Sequence, residues 1–318
     1  MKNPRILCPS PSLFSPEGLE YSREKLDINI VEMTQADFES ALVKYDGALV
    51  RFDKNFTSDL MRCSNLKYII CPTTGLTHID LAAAAELGVE VISLKGEYDF
   101  LSSIVATAEH TLTLIMALNR NLIAAAKDTS LFNWRPSLYR GHEVFGSKVG
   151  IIGMGRLGKI VANYLSALGA QIYFYDPHVD AIGMPYFKIK QLNELTDICN
   201  IISVHVDLQP GNYRFLNQSF FSQIHNLDIF INTSRGELVD ENALIAAFDE
   251  GRVKKIGIDV LDSELDSTLG GNKILSRAAE DNNIIVTPHI GGATLESIAR
   301  TDIFIINKFL KFMERKRL

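Results

Sequence analysis

Three ionisable side chains follow three apolar runs late in the chain. Arg235 follows LDIFINTS, Glu264 follows KIGIDVLDS and His289 follows NNIIVTP. Each run reads as a short strand that stops where a functional group begins. The three residue types form one chemical set. A guanidinium offers a planar fork of donors that matches a carboxylate, or one carboxylate oxygen and a neighbouring carbonyl. An imidazole titrates near neutrality and serves as general acid or base. A carboxylate beside it stabilises the imidazolium. Taken singly, each has an ordinary explanation: a surface ion pair, a solvated acid, a loop histidine. Their shared position at consecutive strand ends is what points to chemistry.

A nucleotide-binding turn lies upstream. In KVGIIGMGRLGKIVANYLSALGAQIYFYDPH an apolar strand runs directly into Gly153, Gly155 and Gly158, then a helix through Leu168, then a second strand ending at Asp176, 18 residues after Gly158. Gly153 permits the tight turn, Gly155 lets the backbone approach a pyrophosphate, and Gly158 lets the helix pack on the sheet. The helix N-terminus supplies free N–H groups and partial positive charge. The Asp176 carboxylate accepts from both ribose hydroxyls and repels a 2′-phosphate, so NAD is expected over NADP. With NAD beside an Arg–Glu–His set, the reaction that fits is hydride transfer to the carbonyl of a 2-oxo acid. Arg235 would hold the carboxylate and polarise the C=O, and His289 would protonate the new alkoxide. His205, at the end of the strand candidate CNIISVHV with Ser203 and Asp207, has two readings: it faces the cofactor, or it is a strand-end histidine bonded to backbone.

The elements that must position these groups alternate along the whole chain. KYII, an Ala-rich helix DLAAAAELG and EVISL form one strand–helix–strand unit, and RILC, INIVEM and GALVRF are further strand candidates. Such alternation predicts α/β architecture on parallel sheets. Apolar spacing at Val105, Leu112, Ile115, Met116 and Leu122 predicts one long helix over 102–124, suited to linking two domains. The chain has 318 residues, enough for two domains. Hydrophobic content of 47% and charged content of 22% are those of a soluble globular protein. The net charge is −6 and the only basic cluster is KFMERKRL, which suits a helix C-terminus better than a nucleic-acid surface. Cys8, Cys63, Cys71 and Cys199 form no C-x-x-C pair, and KNPRILCPS does not read as a signal core. A reducing cytoplasm is therefore expected. No membrane partner is expected, because the most apolar segment, IVATAEHTLTLIMAL, carries Glu109 and His110. No metal-ligand set is read.

GIIGMGRLG, INTSRGELVDENAL, GIDVLDSE and TPHIGGAT, in this order and spacing, resemble the D-isomer-specific 2-hydroxyacid dehydrogenases, which include D-3-phosphoglycerate dehydrogenase, glyoxylate/hydroxypyruvate reductase and D-lactate dehydrogenase. The resemblance covers nearly the whole chain. It implies Arg235 as substrate-carboxylate ligand, His289 as acid/base and Glu264 as its partner. It implies Arg156 and Leu157 at the pyrophosphate turn, Asp176 at the ribose, Thr233 and Ser234 near the cofactor, and Asp259 by the nicotinamide carboxamide. Gly291 and Gly292 would leave room for the nicotinamide. Thr74 and Gly75 would hold the substrate carboxylate through backbone N–H groups, and Arg51 would face the substrate. The implied architecture is a Rossmann-type cofactor domain, 100–292, inserted into a discontinuous flavodoxin-like substrate domain, 1–99 and 293–318, with the cleft between lobes and a homodimer formed through the cofactor domain.

Some positions depart from the family pattern. Thr77 and His78 replace a Gly and an Asn of the substrate loop, Asp207 and Asn212 replace a Pro and a Thr after Val-His, and Leu265 replaces a Pro after Glu264. These leave Arg235, Glu264 and His289 intact but leave the substrate open among D-3-phosphoglycerate, glyoxylate, hydroxypyruvate and lactate/pyruvate. Glu264 in place of Gln argues against a formate dehydrogenase. The chain stops soon after its last helix, so serine feedback through a C-terminal domain is not expected. A competing reading from another class is an NAD(H)-sensing corepressor-like protein of the same fold, which would bind NADH without turning over a 2-oxo acid.

Overall fold

The structure, a computed structural model, describes residues 3–180, 183, 185–262, 264 and 269–317, without the side chain of Arg317. The chain divides into two compact units, Met1–Ile104 with Ala293–Leu318, and Val105–Gly292. The first unit holds strands β1 (Arg5–Cys8), β2 (Asp27–Ile30), β3 (Gly47–Leu49), β4 (Tyr68–Cys71) and β5 (Glu90–Ser93). Among the described residues these make one parallel sheet in the order β2-β1-β3-β4-β5, the flavodoxin-like arrangement. Helices α1 (Pro16–Lys25), α2 (Gln35–Leu42), α3 (Ser58–Arg62) and α4 (Leu81–Leu87) connect them, and α5 (Tyr98–Leu101) follows β5. Local chemistry sets their ends. The Asp80 side chain accepts from the Ala83 amide to start α4, and Gly88, at φ 71°, stops it.

Central strands of this sheet read as continuous apolar runs because both faces are covered. Alternate side chains part to opposite layers. Leu7 and Ile69 join Phe38 and Phe56 on one side, while Ile6 and Ile70 lie on the other. The sequence places the first domain boundary after residue 99; the structure extends the unit to Ile104. Leu101 on α5 is buried in the same layer as Ile6 and Ile70, and Arg300 donates to the Ser103 carbonyl at 2.9 Å, so these residues pack with the first unit.

The second unit opens with α6 (Ala106–Asn119) and α7 (Leu122–Ser130), then β6 (Lys148–Ile152), α8 (Arg156–Ala167), β7 (Gln171–Tyr175), β8 (Phe187–Lys188), α9 (Glu194–Ile198) and β9 (Ile201–Val204). It continues with α10 (Gln218–Ser222), β10 (Ile229–Asn232), α11 (Glu241–Asp249), β11 (Ile256–Ile258), α12 (Lys273–Glu280) and β12 (Ile284–Val286). The described strands form a parallel sheet in the order β12-β11-β10-β9-β6-β7-β8. Strand order reverses between β6 and β9, the Rossmann switch point where ligands meet the carboxyl ends of strands. The chain then returns to the first unit with α13 (Leu295–Arg317), whose Ile305, Ile306 and Phe309 are buried. Burying such side chains stabilises by about 1.5–3 kcal/mol each.

One expectation changes here. The helix read over 102–124 is two helices. Lys255 Nζ donates to the Leu118 carbonyl at 2.7 Å and to Asn121 Oδ1 at 2.6 Å, closing α6, and Asn121 takes the left-handed conformation at φ 51°, which Asn tolerates better than most residues. In addition, Tyr98–Asn119 is, by length and composition, long and apolar enough to cross a membrane, with a mean hydropathy of 1.4. Its apolar character has a packing origin in α6. Leu114 and Leu118 lie so close to β11 that a Cβ on Gly257 would come within 3.4 Å and 3.1 Å of them.

Candidate active site

The turn after β6 is built by glycines with different duties. Gly153 sits at φ 91°, and a Cβ there would meet the His205 carbonyl oxygen at 2.6 Å. Gly158 lies against the turn itself, since a Cβ would come 2.0 Å from the Gly153 carbonyl oxygen. Around Gly155, by contrast, a Cβ would find nothing within 4 Å. Gly155 also forms the N-cap of α8 and offers no side-chain acceptor, whereas α4 and α11 are capped by Asp80 and Asp240. An open backbone and a helix start without a capping carboxylate suit a pyrophosphate. Arg156 and Leu157 form the first turn of α8, and burial lowers the pKa of the Arg156 guanidinium. At the end of β7, Asp176 accepts from the Met154 amide at 2.8 Å and the His178 amide at 2.8 Å. The acid is thereby fixed beside the turn, and the residues present fit a dinucleotide.

Strands β10, β11 and β12 are neighbours in register, with Asn232 opposite Ile258 and Ile258 opposite Val286. Neighbouring strands lie about 4.8 Å apart, so the segments carrying Arg235, Glu264 and His289 leave one sheet edge side by side. Asn232 Nδ2 donates to the Arg235 carbonyl at 2.8 Å, and Asn232 Oδ1 accepts from the Ser234 amide at 3.0 Å. This closes the turn beneath Arg235, whose Nη1 donates to the Ser234 carbonyl at 2.6 Å. Gly236 is obligatory for proximity, because a Cβ would stand 1.9 Å from the Leu261 carbonyl carbon. The loops after β10 and β11 therefore abut. His289 Nδ1 and Glu264 Oε1 lie 2.5 Å apart, with the two side chains 26% and 28% exposed. That exposure leaves the pair accessible to a small molecule. Leu265 and its departure lie outside the described residues.

Other expected residues fall into place unevenly. Thr233 is buried and its hydroxyl pairs with that of Thr111 at 2.8 Å. Ser234 Oγ donates to the Val206 carbonyl at 3.0 Å, joining the ends of β9 and β10. Asp259 is buried, and its carboxylate accepts from Thr287, Ile290 and Gly291. Burial raises its pKa, but bonds from His110, Thr287, Ile290 and Gly291 outweigh that and hold it below the ordinary value. Gly291 is small on account of Asp259 itself, whose Oδ2 would lie 2.8 Å from an added Cβ, while Gly292 is open. At His205, Nε2 lies 2.9 Å from Ser203 Oγ. It is 8% exposed, and burial pushes its pKa down to about 4, so the ring is neutral. Asp207 is exposed, and Asn212 staples its turn by donating to the Asp207 carbonyl at 2.8 Å.

In the first unit, Thr74 is exposed and Gly75 half-buried in the loop after β4, where Thr73 Oγ1 donates to the Gly75 carbonyl at 2.8 Å. His78 is buried, with Nε2 3.7 Å from the Cys71 sulfur. Arg51, expected to face the substrate, is buried, salt-bridged to Asp302 Oδ1 at 2.5 Å, and stacked over Phe14 at 5.2 Å. Its charge is neutralised within the unit.

A family model described as the D-isomer specific 2-hydroxyacid dehydrogenase, NAD binding domain, matches residues 112–291, more than half of the chain. The chain belongs to this family. It is 28% identical over 291 residues to the hydroxypyruvate reductase of Thermotoga maritima, covering 91% of this chain and 92% of that one. It is 32% identical over 271 residues to a D-3-phosphoglycerate dehydrogenase of Mycobacterium bovis, covering 83% of this chain but 49% of that longer protein. The crystal structure of a D-lactate dehydrogenase from Aquifex aeolicus, complexed with NAD and lactic acid, superposes with a TM-score of 0.83 at 25% identity, covering 98% of this chain and 95% of that one. The chain is an NAD-dependent oxidoreductase of the D-2-hydroxyacid dehydrogenase class.

Proposed function

We propose that this enzyme reduces a short 2-oxo acid to its D-2-hydroxy acid with Arg235, Glu264 and His289 as the working residues, and runs the reverse reaction from the same groups. The observation that carries this assignment is the 2.5 Å contact between His289 Nδ1 and Glu264 Oε1 beside the Arg235 turn. NADH, when bound, supplies the hydride that C2 of the substrate receives. The Arg235 fork binds the substrate carboxylate and polarises the C2 carbonyl. As negative charge gathers on that oxygen, His289 donates a proton to it, and no free alkoxide forms. Glu264 accepts from Nδ1, which fixes the ring and directs Nε2 as the proton-carrying nitrogen. In oxidation His289 takes the hydroxyl proton instead. Gly153, Gly155, Gly158, Arg156 and Leu157 hold the pyrophosphate, Asp176 the ribose, and Thr233, Ser234, Asp259 and Gly292 line the nicotinamide end.

Hydroxypyruvate, glyoxylate, pyruvate and 3-phosphohydroxypyruvate are the substrates to test, by similarity to the relatives above. Loss of NADH absorbance on adding each acid is expected for at least one, with NADPH poorer. Tight NADH binding without turnover of any acid would instead leave a cofactor-sensing protein. We propose also that the chain forms a homodimer through the second unit, which supports its apolar surface: Leu122, Ile123, Leu131, Phe132, Trp134 and Leu138 are all exposed, more than a lone surface usually tolerates in one segment. A cytoplasmic setting is supported by free thiols at Cys8, Cys63, Cys71 and Cys199.

A further inference from the structure

His289 stands at φ 53°, a left-handed backbone that residues with a Cβ rarely adopt unless their surroundings impose it. The imposing group is Asp259. Its Oδ1 accepts from the Ile290 amide at 2.9 Å, its Oδ2 from the Gly291 amide at 2.7 Å, and its carbonyl from the His289 amide at 2.9 Å. The carboxylate is itself held from the other side. Thr287 Oγ1 donates to Asp259 Oδ1 at 2.6 Å. With that hydrogen committed, the hydroxyl oxygen presents a lone pair to His110 Nε2, 3.0 Å away. The same Nε2 lies 3.3 Å from Asp259 Oδ1, so it carries the hydrogen and faces two acceptors. His110 is on α6, a rigid helix 177 residues away in sequence from Thr287.

We propose that His110 is a positioning residue for proton transfer: through Thr287 and Asp259 it holds the 287–291 loop in the one backbone conformation that aims the His289 ring. The inference rests on the reading of His289 as acid/base. A group misplaced by about 1 Å costs on the order of 100-fold in rate, so removing an outer support is expected to cost about 10-fold or more. His110→Ala and Thr287→Val are each expected to lower kcat by about that factor, with KM for the oxo acid and the NADH Kd changed less than about threefold. His110→Gln, whose amide reaches where Nε2 stood, is expected to recover most of kcat. The double variant is expected to be no slower than the slower single one, because both break the same chain of bonds. A helix tie with no role in aiming would lower the melting temperature while leaving kcat in place. Unchanged kcat in His110→Ala, or in Thr287→Val should the former not fold, overturns the proposal. So do multiplicative losses in the double variant, or losses confined to NADH affinity. His289→Gln separates the two readings. Full turnover in that variant sinks the acid/base assignment, whereas a dead His289→Gln beside a fully active His110→Ala sinks only the positioning role.

Discussion

Two histidines end strands of the same sheet and have opposite surroundings. His205, after β9, is closed in by burial and pairs with the neutral Ser203 hydroxyl. His289, three residues beyond β12, is about a quarter exposed and pairs with the Glu264 carboxylate. The residue type is the same and the sheet position is nearly the same, so position alone does not make a proton-transfer group. A charged partner and access to a substrate do. Burial with a neutral partner makes a histidine that stays uncharged and fills space beneath the glycine turn, where its carbonyl lies under Gly153.

The sharpest way to break this contrast is to remove each ring in turn. His289→Ala is expected to lower kcat by about 10²–10⁴-fold, the contribution of a general acid–base group, with NADH affinity retained in a fluorescence titration. His205→Gln is expected to keep kcat within a few-fold of the parent. Comparable losses in both variants would show that the two strand ends are not functionally distinct.

A smaller effect tests whether the end of β10 belongs with that of β12. Arg235→Lys keeps the charge but loses the planar fork. Since a hydrogen bond to a charged group is worth about 1.5–3 kcal/mol, kcat/KM is expected to fall about 100-fold. The loss should shrink for an oxo compound lacking the carboxylate, as read by comparing the oxo acid with its amide. Equal losses on both substrates would remove Arg235 from carboxylate recognition.

Much of this site is legible in the sequence because its signals are local. The glycine turn, the acid after β7 and the side chains that follow β10, β11 and β12 are all carried by short continuous stretches, and the parallel strands that support them announce themselves as apolar runs. What escapes is decided by partners far along the chain. Apolar spacing runs through Arg120 and Asn121 without a break, and only Lys255, 137 residues from Leu118, ends the helix there. Nothing near Arg51 in the sequence announces Asp302, 251 residues on, to which it is hydrogen-bonded. His110 is visible in the sequence only as an interruption of an apolar helix, although its contact at Thr287 lies in the most recognisable motif of the chain. His205 could be read either way because burial is not a local property.

That last residue also gives the mildest test of the contrast, through stability. Burial pushes the His205 ring down to about 4, and unfolding returns it to water and to 6.5. Between these values the unfolded chain binds a proton that the folded chain refuses, so acid favours unfolding. The contribution is complete above pH 6.5 and is lost as pH falls from there toward 4. Between pH 7 and pH 5 it amounts to roughly 2 kcal/mol. His205→Gln keeps a donor for Ser203 but cannot titrate, so its urea-unfolding midpoint should fall less over this interval than that of the parent. Reading the effect as a difference between two proteins cancels the other groups that titrate in the same range. If His205→Gln and the parent lose stability equally on acidification, the buried ring is not held neutral, and the distinction between the two strand ends must rest on Glu264 alone.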